Sequence, residues 1–183
     1  MIMWIILIVV AVIVLYVIIA YNRLVTLKNR IENSWAQIDV QLKRRTDLIP
    51  NLIETVKGYM KHEKTVLTEI TKARSAMLKA SSTEDKARAS NMVSDALKSV
   101  FAVSEAYPEL KANQNFLMLQ EELAGTESKI AYARQHYNDS VLSLNTMVES
   151  FPSKFIASTF SFAKRHFFEA TEVERKNVKV HFE

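Results

Sequence analysis

The chain has 183 residues, with 24 Lys and Arg against 20 Asp and Glu, two glycines, three prolines and no cysteine. So few chain breakers favour long helices joined by short turns over a sandwich, barrel or doubly wound sheet, and the missing thiols exclude disulfides, thiolate zinc sites and a lipid-modified cysteine. The formal charge of +4 is spread along helices on which cations and acids interleave, a solvated surface without the basic, aromatic-studded face that nucleic-acid binding calls for.

Met1 to Ala20 contain no charged side chain, which matches the roughly 20 apolar residues that cross about 30 Å of hydrocarbon as a helix. A buried core helix this uniformly apolar would be exceptional, and the basic n-region and small-x-small cleavage site of a cleavable signal peptide are missing, so residues 1–21 read as an uncleaved transmembrane anchor. Lys and Arg accumulate on the cytoplasmic side of a span. Arg23, Lys28 and Arg30 follow it and only the α-amino group precedes it, which predicts an outside N-terminus and a cytoplasmic domain.

From Leu24 a heptad register holds without a skip. Its d positions are Leu24, Ile31, Ile38, Arg45, Leu52, Tyr59, Val66 and Ala73, and its a positions include Trp35, Leu42, Ile49, Val56, Glu63, Ile70 and Met77. The register predicts one long helix, kinked at Pro50 where the bond to the Thr46 carbonyl is lost; a true break near Asp47 to Pro50 is the alternative. Ser81 or Ser82, with an acid three residues on, caps the next helix, which stops at Tyr107-Pro108. A third helix repeats Phe116, Leu123, Ile130, Tyr137, Leu144 and Phe151 as d. A fourth, aromatic-rich helix is predicted from Ser153 to about Glu169. Val178, Val180 and Phe182 alternate, which suggests an extended tail over 173–183.

These elements make an all-α, elongated antiparallel helical bundle over residues 22–172. Its first cytoplasmic helix, about 55 residues and roughly 80 Å, outruns the second, about 23 residues and roughly 35 Å. The stripe Leu24, Ile31, Trp35, Ile38 and Leu42 is then expected to lie uncovered, too apolar to stay wet, and to pair with copies of the same chain in a homo-oligomer.

No chemistry-bearing motif emerges. None of His62, His136, His166 and His181 completes the Glu-x-x-His of a di-iron bundle, and no phosphate-binding glycine loop or nucleophile elbow is present. The expectation is no enzyme, no cofactor and no metal. The informative residues are charges in the seams: Arg45, Glu63, Glu127 and Arg134 stand where a bundle wants apolar side chains, and a lone buried charge costs several kcal/mol. They are expected to pair across helices, with Tyr137 beside them, as a network fixing helix register; a ligand-binding or catalytic polar pocket is the alternative. Lys43-Arg44-Arg45, roughly 35 Å beyond the span on a straight helix, suits a solvated face or pairing within the bundle better than headgroup reading.

Several segments resemble the bacterial LemA family: Tyr21-Asn22-Arg23-Leu24-Val25, Trp35-Ala36-Gln37-Ile38-Asp39 running on to Arg45, Asp47-Leu48-Ile49-Pro50-Asn51-Leu52, Glu54 to Tyr59, Ala73-Arg74, Tyr107-Pro108-Glu109-Leu110-Lys111-Ala112-Asn113, Thr126-Glu127 and Tyr137-Asn138. The resemblance runs from about Tyr21 to Val180 to Phe182. It implies a single N-terminal span in the bacterial inner membrane followed by an elongated helical domain, and similarity to scaffold or envelope-associated proteins, one branch linked to magnetosome membranes. It carries over no catalytic residues. The expected function is a membrane-anchored, self-associating scaffold or adaptor for a protein partner that the sequence does not name; a ligand sensor, a membrane-remodelling protein or an enzyme is the alternative.

Overall fold

The structure, a computed structural model, describes residues 1–168; the extended tail expected over 173–183 lies outside them. Among the described residues the fold is all-α, with no strand and six helices: α1 Ile2–Lys57, α2 Lys64–Lys79, α3 Thr83–Ser104, α4 Pro108–Lys111, α5 Gln114–Glu149 and α6 Ser153–Thr159. Packing divides the described residues into two compact units, one of residues 1–37 and 133–167, the other of residues 38–132 with Phe168. α1 and α5 each contribute to both units.

In the first unit every large apolar side chain from Ile2 to Leu15 is more than half exposed. Cover begins where the uncharged run ends, with Ala20, Leu24, Leu27, Ile31 and Ser34 buried. Opposite them lie Ala133, Tyr137, Ser140, Val141 and Leu144 of α5, also buried, and Trp35 rests against Tyr137 at a ring-centroid distance of 5.8 Å. The expected fourth helix is cut short. It ends at Thr159, Ser161 turns through a left-handed backbone with φ 58°, and the chain continues without helix to Phe168. Phe160 and Phe162 pack on Tyr21, centroids 4.8 and 6.0 Å away, so the aromatic-rich stretch is a strap rather than a fourth bundle helix.

The stripe expected to lie open is covered by its own chain. Leu24, Ile31, Ile38 and Leu42 are all buried and Trp35 is half-buried, so the stripe gives no reason for a second copy. Helix lengths misled because α5 is long, 36 residues, where the length comparison set the first helix only against the second. The buried line on α1 runs Leu24, Leu27, Ile31, Ser34, Ile38, Leu42, Arg45, Ile49, Leu52 and Val56. Its spacing moves from d/g to a/d positions at Ile38, the drift expected when a helix of 3.6 residues per turn is read in sevens. On α5 the d positions Phe116, Leu123, Ile130, Tyr137 and Leu144 are buried, whereas Phe151 is exposed.

In the second unit Pro50 stays inside α1. The Thr46 carbonyl that it leaves without a helical partner accepts from Arg74 Nε on α2 at 3.3 Å, which offsets the lost bond. The predicted continuity to Met77 fails instead after Lys57. There Gly58, a poor helix former, is followed by a turn in which the Val56 carbonyl accepts from both Tyr59 and Met60 at 3.0 and 2.8 Å, with Met60 fully buried. Because Arg74 reaches Thr46, α2 runs back along α1. Ser82 caps α3, its hydroxyl accepting from the Asp85 amide at 3.0 Å and donating to the Asp85 carboxylate at 2.7 Å. Ala87, Val93, Ala96, Leu97 and Val100 bury the face of α3. Tyr107, pushed to φ −121° ahead of Pro108, separates α3 from α4, and Asn113 Oδ1 caps α5 by accepting from the Phe116 amide at 3.1 Å.

Candidate functional site

The polar centre of the second unit is Arg45, whose side chain has no exposed surface. It stands at a d position of α1, and what admits a guanidinium there is the chemistry of α3: Ser90 and Ser94, one turn apart among alanines, leave room and offer oxygens. Nη2 donates to the Ser90 carbonyl at 3.0 Å and to its hydroxyl at 2.8 Å, and Nη1 donates to Ser94 Oγ at 2.9 Å. Nη1 also donates to the Glu127 carboxylate on α5, and Ser94 Oγ donates to the other carboxylate oxygen at 2.8 Å. One side chain thus ties α1 to α3 and α5.

Burial pulls the Arg45 guanidinium below its ordinary value, and the Glu127 carboxylate works against that shift by attraction and hydrogen bonding. The group keeps its charge, since arginine starts from far above neutrality. Glu127 itself is 45 % exposed, so the pair is one buried cation reached by a carboxylate that keeps its other side in water. Arg45 Nε, and Gln41 Oε1 one turn earlier on α1, are buried without hydrogen bonds. Around the centre lie an Arg44–Glu122 pair at 2.6 Å, half exposed, and a Lys86–Asp39 pair.

The members named from the seams have the following partners. Arg45 and Glu127 meet. Glu63 accepts instead from the Tyr107 hydroxyl at 3.1 Å; desolvation, and after it this bond, raises the phenol above its ordinary value. Tyr137 donates to the His166 carbonyl at 3.0 Å; burial raises its phenol above the ordinary value, and Arg165 opposes that shift. Arg134 is half-buried and, like Tyr137, belongs to the first unit. Ser90 and Ser94 escaped the sequence reading because serine at a buried helical position carries no charge to flag it; their four-residue spacing among small residues was the available signal. No group of three or more His, Asp or Glu able to hold a metal occurs among the described residues. The Arg45 cluster binds helices together, and its cation has no open face with which to meet a substrate.

A sequence profile described as the LemA family matches residues 34–182. A relative named Protein LemA, from Metamycoplasma hominis, is 28 % identical over 162 residues, which cover 86 % of this chain and 72 % of the relative.

Proposed function

The chain belongs to the LemA family, and from that premise we propose that it is a membrane-anchored helical scaffold or adaptor whose first helix fixes the helical part of the chain to the cytoplasmic face of a membrane. The observation that carries the reading is the abrupt change along α1. Its first part is apolar and unburied from Ile2 to Ile19, with only Val17 partly covered, and the same helix is buried by other parts of the chain from Ala20 onward. Apolar side chains left bare in this way have the length of a membrane span, and the orientation follows from Arg23, Lys28 and Arg30 just beyond it. A mechanical rather than catalytic role is supported by Arg45, whose two terminal nitrogens hold α1, α3 and α5 in register.

Alkaline carbonate washing of membranes from cells expressing the full chain tests the anchor. The chain is expected to stay in the sedimented bilayer, and removal of residues 2–20 is expected to release it. Full-length chain in the supernatant refutes the reading.

A further inference from the structure

Resting on the anchor reading, we propose that the segment from Phe151 to Arg165 is a lipid-binding collar: its bare phenylalanines enter the leaflet where α1 emerges, and the cations beside them hold anionic phospholipid headgroups.

The placement comes from helix geometry within the first unit. Trp35 of α1 touches Tyr137 of α5. Fourteen residues back along α1 is Tyr21, and fourteen forward along the α5 direction is Phe151, each roughly 21 Å away at 1.5 Å per residue. The two helices run antiparallel, because Leu144 of α5 shares a cavity with Val25 and Lys28 of α1. Phe151 therefore lies level with Tyr21, the last residue of the expected anchor and two before the first cation, Arg23, where an anchored helix meets headgroups.

At that level the side chains are aromatic and bare. Phe151 is 82 % exposed and Phe155 66 %, their rings 5.9 Å apart, and Phe160 and Phe167 are also exposed. A cluster of this kind left in water marks an interaction surface, and aromatic rings favour the depth at which headgroups give way to acyl chains. The strap is held in position by Asn145, which donates to the Arg165 carbonyl and accepts from its amide, both at 2.9 Å.

Charge selects the occupant. A cavity of about 570 Å³ opens between Tyr21, Lys28, Phe160, Phe162, Lys164 and Arg165. Lys164 pairs with Glu149 at 2.6 Å, but both side chains are more than half exposed, so the pair is weak and exchangeable. Three cations against one carboxylate, beside aromatic walls and at the height of the bilayer surface, suit a phosphodiester headgroup in an anionic leaflet.

The absence of cysteine permits a clean test. The full chain carrying Phe155→Cys with a nitroxide is reconstituted into phosphatidylcholine vesicles with and without one-third phosphatidylglycerol. Flotation, the accessibility of the label to oxygen against a water-soluble nickel chelate, and the immobilised fractions of spin-labelled phosphatidylglycerol and phosphatidylcholine are then measured. The expected result is a floating chain whose label favours oxygen, with about a three-fold or greater preference for phosphatidylglycerol that falls towards one in Lys28→Gln/Lys164→Gln/Arg165→Gln. A floating chain with its label in water overturns the collar and leaves the anchor standing. A label in the bilayer with no lipid preference overturns the headgroup assignment, and a chain that does not float overturns both the collar and the anchor.

Discussion

Arg45 and Glu127 are unequal partners, and replacing each in turn exposes the difference. Unit charges about 4 Å apart at an effective dielectric near 20 attract by ~4 kcal/mol. The Glu127 side chain is 45 % exposed, so water screens roughly half of that. With the Ser94 hydrogen bond also lost, worth ~0.5–1 kcal/mol, Glu127→Ala is expected to cost about 2–3 kcal/mol, because it strands a guanidinium with no exposed surface. Arg45→Met strands only the neutral Ser90 hydroxyl, which loses its Nη2 donor. Glu127 turns to water, Ser94 Oγ still reaches the Ser90 carbonyl at 3.2 Å, and a methionine fills apolar space, so the change is expected to stay within about 1 kcal/mol. Thermal unfolding of the full chain in non-ionic detergent, followed by far-UV circular dichroism, should show Glu127→Ala melting roughly 5–10 °C lower. Arg45→Met should melt near the parent, and the double replacement should match Arg45→Met alone. An Arg45→Met chain less stable than Glu127→Ala refutes the assignment of Arg45 as the buried, dependent member.

Other outcomes follow from single contacts. Gly125 lies inside α5 with open space where a Cβ would stand, so Gly125→Ala is expected to stabilise the chain by about 0.5–1 kcal/mol, and a lower melting temperature would show that this side of α5 is covered. Arg74→Ala orphans the Thr46 carbonyl freed by Pro50 and should cost ~1 kcal/mol; faster amide exchange around residues 46–50 is the accompanying sign. Ser82→Ala removes the α3 cap and should cost ~1 kcal/mol. Hydrogen bonds from Ser82 and Arg88 hold the Asp85 carboxyl below its usual value, so its contribution is complete above the unfolded carboxylate range, near pH 4, and fades as pH falls through the lowered value. The penalty of Ser82→Ala measured at pH 7 should accordingly shrink in strong acid, and a penalty that grows there would contradict the cap.

The long-range features that sequence made legible were those carried by repeating residues. The bare apolar run, the d line of α5 from Phe116 to Leu144, the Ser82 cap and the stop at Pro108 all announce themselves in spacing or in a single residue type. Continuity was harder. Pro50 looked like the weak point of the first helix, yet Arg74, 24 residues on, repairs it, while the real end at Gly58 sits inside an unbroken heptad register. The cover over Leu24 and Ile31 was invisible because it depends on which stretch of α5 folds back against α1, and spacing within one helix does not encode that. The aromatic strap after Thr159 was read as helix because five phenylalanines dominated the pattern, whereas the left-handed turn at Ser161 has no residue signature. At the polar centre the charged members Arg45 and Glu127 were visible as misplaced charges; the serines that make the site possible were not.

Single-cysteine labelling tests the central claim, a lone span with everything beyond it on one side. Val10→Cys, Leu78→Cys and Tyr132→Cys each replace an exposed side chain in a chain free of native thiols. Treated with a membrane-impermeant maleimide, all three should stay unlabelled in intact spheroplasts; after permeabilisation Leu78→Cys and Tyr132→Cys should react while Val10→Cys stays protected. Labelling of Leu78→Cys or Tyr132→Cys before permeabilisation would reverse the orientation, and labelling of Val10→Cys in any condition would remove the span itself.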